Sequence, residues 1–321
     1  MTRQRIPDEV LSAAHARAKA REARDWAEAD RLRDEIEVAG WRIVDRGTDF
    51  ALTPAAPPDV AEGDRIRYGS SQGVPSRLDD PATGPATVVL LATDWPDDLA
   101  RALDGLRGTS PAGTSIVIVG DGPSPGQEAA LRAIEAEPAN LRPEVVWTSE
   151  RLGHAAATNC GARRASGSVV ILLDTSVEPA GDIITPLVHA LDDPTVAVAG
   201  GWGIVSNDLR TFADAPAGDV DAIAGYCQAF RRADYAARGP LDEHFRFYRN
   251  LDIWWSFVLR DGGDAGPPRR AVSLDSLPLM RHEHRGYASL PELDRDRLSK
   301  RNFYRVLDRF RDRRDLLTHA G

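Results

Sequence analysis

The sequence of 321 residues is 42% hydrophobic and 28% charged, which is typical of a folded globular protein and excludes a largely disordered chain. Its formal net charge of −9 disfavours unspecific binding to nucleic acid, and its two cysteines, Cys160 and Cys227, are too few for a disulfide framework. Because no apolar stretch follows the N-terminus and no window approaches the ~20 apolar residues of a membrane span, the sequence predicts a cytoplasmic protein.

The first predicted element is an amphipathic helix over residues 8–39. This segment is rich in Ala, Arg, Glu and Asp, and Trp26, Ala29 and Ile36 recur in it at helical spacing. The charged residues between them alternate in sign, as they do on the solvent face of a helix. Gly40 stands where a helix C-cap is expected, so the pattern predicts that the helix ends there.

A β-hairpin and a linker follow the helix. Residues 41–45 and 50–52 are typical of two short strands, and residues 46–48 between them are typical of a turn. Prolines and glycines interrupt any periodicity over residues 54–84, which indicates a linker. The expected organisation is a helical module with a hairpin, a linker and one large domain, over residues 1–53, 54–84 and 85–321.

Apolar strands alternate with helices from residue 85 onward. The patterns predict strands at 87–92, 115–119, 144–147 and 169–173, and helices at 96–106, 128–137 and 154–165. Strands that are apolar on both faces are typical of a mostly parallel sheet covered by helices on both sides. The sequence therefore predicts an α/β fold with a Rossmann-like sheet, preceded by the small helix-plus-hairpin module.

Two aspartates mark the carboxyl ends of predicted strands. Asp121 follows the second of these strands and Asp174 the fourth, so both are expected at the sheet edge where α/β proteins bind ligands. One such aspartate is commonly a helix N-cap, but two at the same edge suit a diphosphate with its cation and a ribose. The sequence lacks the Gly-rich runs of dinucleotide-binding and P-loop proteins, which disfavours those two classes.

Several short motifs occur in an order that resembles one enzyme family. They are residues 119–124 (Val-Gly-Asp-Gly-Pro-Ser), 152–161 (Leu-Gly-His-Ala-Ala-Ala-Thr-Asn-Cys-Gly), 165–167 (Ala-Ser-Gly), 172–176 (Leu-Leu-Asp-Thr-Ser), 239–245 (Gly-Pro-Leu-Asp-Glu-His-Phe) and 282–286 (His-Glu-His-Arg-Gly). Their order resembles the family-2 glycosyltransferases, which have the GT-A fold for nucleoside-diphosphate sugars. The resemblance extends over roughly residues 85–315.

The resemblance implies a role for individual residues in donor and metal binding. Nucleotide-sugar contacts are implied for Asp121, Gly153, Asn159 and Asp174, and the Gly-rich loop that holds Trp202 is expected to border the same cleft. A divalent cation, Mn²⁺ or Mg²⁺, is implied at the metal motif, with ligands expected from Asp174, Ser176, His282 and His284.

The chain departs from the family pattern at three positions. Gly120 stands where the family has the first aspartate of its nucleotide turn. Ser176 stands where the family has the second aspartate of its metal motif, and Asn250 stands where it usually has the catalytic base. Asp252 is the nearest carboxylate to that position and Asp242 is a further candidate for the general base. The resemblance implies sugar transfer to a hydroxyl acceptor with inversion. The alternative is a catalytically degenerate nucleotide-sugar-binding or regulatory protein on the same fold.

The acceptor is left open by the sequence. The classes considered are a lipid-linked acceptor, a natural product and a cell-envelope glycan. Residues 294–315 predict a charged helix with more Arg and Lys than Asp, which is expected to pack on the domain. A peripheral contact between this helix and anionic lipid at a membrane is the alternative.

The N-terminal module has a resemblance of its own. Residues 20–35 and 40–45 resemble the C-terminal end of cysteinyl-tRNA synthetases, within a match over residues 11–53. The match contains none of the synthetase's catalytic motifs, and its acidic residues balance its basic ones, so nucleic acid is not an expected partner. A packing element, or the dimerisation element of a homodimer, is expected.

Overall fold

The computed structural model describes residues 6–47, 49–138, 141–263 and 266–318. It divides into two compact units, Met1–Pro58 and Asp59–Gly321. Thr48, in the turn that the sequence predicts, lies outside the described residues. None of the helices in these ranges is both long enough and apolar enough to cross a membrane.

The first unit consists of two helices and an antiparallel hairpin. Its elements are α1 (Asp8–Glu22), α2 (Trp26–Val38), β1 (Trp41–Arg46) and β2 (Asp49–Pro54). Apolar side chains from both helices and from β1 form one core, namely Val10, Ala13, Ala14, Leu32, Ile36, Trp41 and Ile43. The expected helix-plus-hairpin module is therefore present and has a core of its own.

The single helix predicted over residues 8–39 is wrong, because the chain turns at residues 23–25. Arg24 has a left-handed φ of 59°, and the Asp25 carboxylate caps α2 by accepting the Glu28 N–H at 3.1 Å. The turn lets two short helices bury their apolar faces against each other, which one straight helix could not do. Gly40, with a φ of 78°, ends α2 as expected.

The second unit contains the remaining strands and helices. The strands are β3 (Val60–Glu62), β4 (Arg65–Tyr68), β5 (Gly84–Ala92), β6 (Ser115–Gly120), β7 (Glu144–Thr148), β8 (Gly167–Leu173), β9 (Val177–Pro179), β10 (Val196–Gly200), β11 (Gly203–Ser206), β12 (Phe212–Ala215), β13 (Gly218–Val220), β14 (Ala222–Ile223), β15 (Cys227–Arg231), β16 (Arg270–Ser273) and β17 (Leu279–Arg281). The helices are α3 (Pro96–Thr109), α4 (Pro125–Ala136), α5 (His154–Arg163), α6 (Ile184–Ala190), α7 (Arg232–Arg238), α8 (Leu251–Arg260), α9 (Arg285–Ala288) and α10 (Glu292–Phe310).

One large sheet organises this unit. Among the described residues it has ten strands in the order β13-β16-β10-β15-β8-β5-β6-β7-β4-β3. The central strands β8, β5, β6, β7 and β4 pair in parallel, and β15 continues the sheet from β8 in the antiparallel sense. The carboxyl ends of β5, β6 and β8 therefore meet at one edge, as the alternation of strands and helices predicts.

Helices cover both faces of the sheet. On one face α3, α4 and α6 contribute buried residues such as Leu103, Leu131 and Leu187 to a core with β5 and β6. On the other face α8 and α10 pack residues such as Trp255 and Phe310 against the sheet. Both cysteines of the chain are buried free thiols, and burial raises the pKa of each to about 12. The α/β architecture predicted from the apolar strands is confirmed.

The segment 54–84 is more than a linker. Its strand β4 pairs in parallel with β7, through Arg67 opposite Trp147 and Tyr68 opposite Thr148, and its strand β3 forms the edge of the large sheet. These strands lie between the prolines of the segment, where the backbone N–H groups can still pair. Residues 59–84 thus belong to the second unit.

Candidate active site

A cavity of about 530 Å³ lies where the central strands end. Asp121 follows β6 and Asp174 follows β8, and both line this cavity. Further residues of the cavity lining come from the segment after β5, the start of α5, the segment before α8 with its first turn, and the segment around α9. These include Asp94, Trp95, Gly153, His154, Tyr248, Asp252 and His284. Asp121 and Asp174, which the sequence predicts to contact a ligand, therefore line the same cavity.

Backbone groups hold the Asp121 carboxylate in place. It accepts the N–H of Leu152 at 2.6 Å and that of Gly153 at 3.0 Å, and the Thr148 hydroxyl lies 3.2 Å away. Burial raises the pKa of Asp121, and these hydrogen bonds oppose the rise. Asp121 is thus a fixed, partly buried acceptor at the end of β6.

Gly153 positions this acceptor through its backbone. Its φ is +102°, and a Cβ built on it would lie 3.0 Å from the Cα of Arg246. Few side chains tolerate that conformation, so a glycine is needed where the chain enters α5. The role of Gly153 in the cavity is the placement of its N–H and of the helix start.

Asp174 forms a half-buried hydrogen-bonded pair with His284. Its Oδ2 lies 3.3 Å from Nε2 of His284, while its Oδ1 accepts the N–H of Ser176 at 2.8 Å and the Ser176 hydroxyl at 2.5 Å. Burial by itself would raise the pKa of Asp174, but the hydrogen bonds from His284 and Ser176 outweigh it and lower that pKa. The same contact raises the pKa of His284 against the effect of its own burial.

Asp174 keeps a lone pair of Oδ2 for a cation, because Oδ1 accepts both hydrogen bonds from Ser176 and Oδ2 faces only His284. Within the described ranges no three His, Cys, Asp or Glu side chains form a metal cluster. His284 uses Nδ1 to accept the Tyr287 N–H at 3.1 Å, so its Nε2 carries the proton that faces Asp174 in this arrangement. A hard cation bound by one carboxylate together with diphosphate oxygens fits these residues, because such ions commonly keep most of their ligands from substrate and water.

Two of the four predicted metal ligands lie away from the cavity. The Ser176 hydroxyl is buried and donates to Asp174, so it supports that carboxylate. His282 lies with Nε2 2.8 Å from the Glu178 carboxylate and does not line the cavity. The motif at residues 282–286 therefore supplies one imidazole to the site, that of His284.

An aromatic and imidazole stack, missed in the sequence, lies beside Asp174. The Tyr248 ring stacks on His284 with centroids 4.5 Å apart, and its centroid is 5.9 Å from that of His154. Burial lowers the pKa of His154 to about 4, so this imidazole is neutral at pH 7. His154 is the first residue of α5 and Trp95 follows β5, positions at the same edge as the two aspartates, and that edge position was the available signal.

Asp252 is the candidate general base that the structure brings into the cavity. It lies in the first turn of α8, where its carboxylate accepts the N–H of Gly225 at 2.9 Å and that of Ile253 at 3.0 Å. Burial raises its pKa. Asp242 does not line the cavity, since its carboxylate accepts the His244 N–H and lies 2.7 Å from the His244 ring.

Asn159 and Trp202 lie outside the cavity lining. The Asn159 amide is fully buried and occupied by protein groups: it donates to the Leu241 carbonyl and Glu243, and it accepts from the Tyr235 hydroxyl and the Leu241 N–H. Trp202 packs edge-on against Tyr226, 5.5 Å between centroids. The buried Asn159 has no free surface for the predicted nucleotide-sugar contact, whereas Trp202 is half-buried and its partner Tyr226 lines the cavity.

The family model described as Glycosyl transferase family 2 matches residues 87–249. An N-acetylglucosaminyltransferase of Rhizobium sp. (strain N33) is 25% identical over 185 residues, which cover 48% of this chain and 41% of that protein. The crystal structure of GalNAc-T7 with UDP, GalNAc and Mn²⁺ superposes with a TM-score of 0.57 at 18% identity, over 70% of this chain and 48% of that one. The chain thus spans less than half of the length of either protein.

The N-terminal unit has a separate relative. A cysteine–tRNA ligase of Opitutus terrae is 46% identical over 50 residues, which are 16% of this chain and 11% of the ligase. This match confirms the resemblance of the N-terminal module to part of a synthetase.

Proposed function

The chain belongs to glycosyl transferase family 2, and we propose that it transfers a sugar from a nucleoside-diphosphate sugar to a hydroxyl acceptor. The observation that carries this proposal is the convergence of Asp121, Asp174 and Asp252 on one cavity of about 530 Å³. A nucleotide sugar needs acceptors for base and ribose, neutralisation of its diphosphate and a base for the acceptor, and these three carboxylates suit those tasks.

The donor would bind between Asp121 and Asp174. Asp121 keeps a lone pair of Oδ2 free for ribose or base, because that oxygen accepts only the Gly153 N–H. Arg151 and Arg249 line the same cavity and offer positive charge to a diphosphate.

A divalent cation, Mg²⁺ or Mn²⁺, would be held by Asp174 and the diphosphate oxygens. The GalNAc-T7 structure contains UDP and Mn²⁺ on a similar fold, which supports a cation of this kind. When bound, such an ion stabilises negative charge on the departing diphosphate. His284 keeps the Asp174 carboxylate oriented by its contact at 3.3 Å.

Asp252 would accept the proton of the attacking hydroxyl. The acceptor oxygen forms its bond to the anomeric carbon while the bond from that carbon to the diphosphate breaks, and the hydroxyl proton passes to the carboxylate. Attack on the face opposite the leaving group inverts the anomeric centre. The two backbone N–H groups that bind Asp252 orient it for this step.

A nucleotide screen followed by a hydrolysis assay tests the proposal. Nucleoside diphosphates are added to the full chain with and without Mn²⁺, and the nucleotide that binds raises the melting temperature. Slow hydrolysis of the matching sugar donor is then compared between wild type, Asp174→Ala and the control Asp312→Ala, whose side chain is 93% exposed. We expect loss of hydrolysis in Asp174→Ala alone.

Two outcomes contradict the transferase proposal. If no nucleoside diphosphate raises the melting temperature, the cavity is not a donor site. If a nucleotide binds and its sugar donors are neither hydrolysed nor transferred, the degenerate binding or regulatory protein is favoured, an alternative motivated by Ser176 and Asn250.

A further inference from the structure

A cluster of arginines lies beside the cavity. Arg246 lines the cavity, and Arg297, Arg301 and Arg305 follow one another at intervals of four residues on α10, which places them on one face of that helix. Arg301 donates to the carbonyl of His244, two residues before Arg246, so this face of α10 lies beside the segment that carries Arg246. These four residues are the arginine cluster.

The positive charge of the arginine cluster is poorly compensated. In the described part of the chain, neither Arg246 nor Arg301 has a carboxylate partner: they donate to the carbonyls of Arg151 at 3.1 Å and of His244 at 3.4 Å. Arg305 reaches Asp242 only at 3.9 Å, and its Nε is buried without a hydrogen-bond partner. Only Arg297 has a short ion pair, with Asp294 on the surface.

This arrangement costs folding free energy in the free protein. Like charges four residues apart on a helix destabilise it, and a buried N–H donor without a partner carries a desolvation cost. The chain as a whole is acidic, with a net charge of −9, so the cluster is a region of positive charge on a negatively charged protein. A bound anion would remove the repulsive cost, since it neutralises the guanidiniums.

Hydrogen bonds join α10, the helix of the cluster, to the segment before α8, which lies on the side of the cavity where Asp252 is. The Asn302 amide donates to the carbonyls of Phe247 at 2.6 Å and Arg249 at 2.9 Å, and the Asn250 amide donates to the Ser299 carbonyl at 3.0 Å. Residues 247–250 lead directly into α8, which carries Asp252. The arginine cluster is therefore next to the segment that presents the proposed base.

We propose that the acceptor carries a phosphate group and that the arginine cluster binds it. This inference rests on the proposed function, because the acceptor side is defined by Asp252. Guanidiniums match phosphate oxygens with paired N–H donors, and several around one anion give both affinity and orientation. The phosphate belongs either to a soluble phosphorylated acceptor or to the phosphodiester headgroup of a lipid-borne one.

Titration of inorganic phosphate tests the inference on the full chain. The donor site is first saturated with the nucleoside diphosphate that stabilises the protein most, so that phosphate cannot bind there. Calorimetry at low ionic strength is expected to show phosphate binding that is about tenfold weaker in Arg301→Gln than in wild type, because one charged donor is lost. Arg301 is exposed, so this variant is expected to fold.

Lys300→Gln is the matched control. Lys300 is the exposed neighbour of Arg301 on α10 and lies outside the cluster, so its loss is expected to leave phosphate affinity unchanged. Equal phosphate affinity in Arg301→Gln and wild type overturns the inference, as does an equal loss in the control. Phosphate that binds only when the nucleotide is absent occupies the donor site and overturns it too.

Vesicles distinguish the two sources of phosphate. Co-sedimentation with phosphatidylglycerol vesicles, absent with phosphatidylcholine vesicles and lost in Arg301→Gln, assigns the phosphate to a lipid-borne acceptor. Binding of inorganic phosphate without vesicle binding assigns it to a soluble one, and binding in neither assay overturns the inference. Nucleotide binding by the wild type reports separately on the proposed function, so failure of one proposal is distinguishable from failure of the other.

Discussion

The carboxylate of Asp252 is held by two backbone N–H groups while burial raises its pKa. Replacement by Asn keeps the shape of the side chain and removes its capacity to accept a proton. We expect kcat to fall by about 10²- to 10⁴-fold in Asp252→Asn, the range typical of a lost general base. The melting temperature is expected to change little, because relief of the desolvation cost of the carboxylate is offset by the loss of one of the two N–H bonds that it accepts.

Asp242→Asn provides the comparison for this variant. The Asp242 carboxylate lies outside the cavity lining and contacts His244, so its loss is expected to reduce kcat much less. A loss in Asp242→Asn as large as that in Asp252→Asn would contradict the assignment of the base.

The raised pKa of Asp252 also predicts a pH dependence. The base is active only when ionised, and a raised pKa means that the ionised form is lost at a higher pH as the solution is acidified. The acidic limb of the profile of kcat/KM should therefore lie above the ordinary aspartate pKa of about 3.9. A limb at or below that value would show that another group controls the rate.

Asn159 illustrates what a motif match leaves undetermined. The motif identifies the residue but not the face of α5 from which it projects, and the structure shows it bound to Tyr235, Leu241 and Glu243. Asn159→Ala would leave several buried groups without partners, so we expect the free energy of unfolding to fall by about 2–4 kcal/mol. Urea denaturation measures this, with the exposed Asn207→Ala as control, and a change below about 1 kcal/mol would contradict it.

The start of α5 depends on the backbone of Gly153. Gly153→Ala forces a side chain into a left-handed conformation against Arg246, so we expect a loss of about 1–3 kcal/mol in stability. Because the Gly153 N–H also holds Asp121, nucleotide affinity should fall as well. Both quantities follow from denaturation and from the thermal shift at a fixed nucleotide concentration.

Gly126→Ala is the control for Gly153→Ala. It shows whether the loss of stability comes from backbone strain or from replacing a glycine in general. Gly126 lies in the first turn of α4 without a left-handed φ, and a Cβ added there would point into open space. Alanine there is expected to stabilise the helix by about 0.5–1 kcal/mol, since it lowers the entropy of the unfolded chain. Destabilisation of similar size in both variants would contradict the strain argument.

The central strands could be predicted from sequence while other elements could not. Strands β5, β6 and β8 are buried on both faces, so their apolar runs stand out. Strands β3 and β4 lie at the sheet edge with exposed and charged residues, and they carry no such pattern. The break between α1 and α2 depends on which faces pack together, a tertiary property that helical periodicity does not contain.

Each of the two units has a hydrophobic core formed from its own residues. The cavity and all of its lining residues belong to the second unit. A chain that begins at residue 59 is therefore expected to fold and to bind the same nucleotide within about twofold of the affinity of the full chain. Calorimetry on both proteins measures this, and loss of binding by a folded shorter chain would contradict it.

Those site residues that directly follow a central strand could be predicted from the sequence. Asp121 and Asp174 could be identified because the end of a parallel strand fixes where a side chain lies. Tyr248 reaches the cavity from a segment whose placement depends on the packing of α8 against the sheet. The arginine cluster combines a cavity residue with a distant helix, so it is visible only in three dimensions.

Trp95 follows β5 and lines the cavity, and a Cβ on Gly286 would lie only 3.4 Å from its indole ring. Of the seven tryptophans in the chain, Trp147 and Trp255 are fully buried, so their emission should respond little to a ligand. The Trp95 indole at the cavity wall is therefore an intrinsic fluorescence probe of ligand binding. Quenching of its fluorescence during titration would follow occupancy without any label, and Trp95→Phe should abolish that signal.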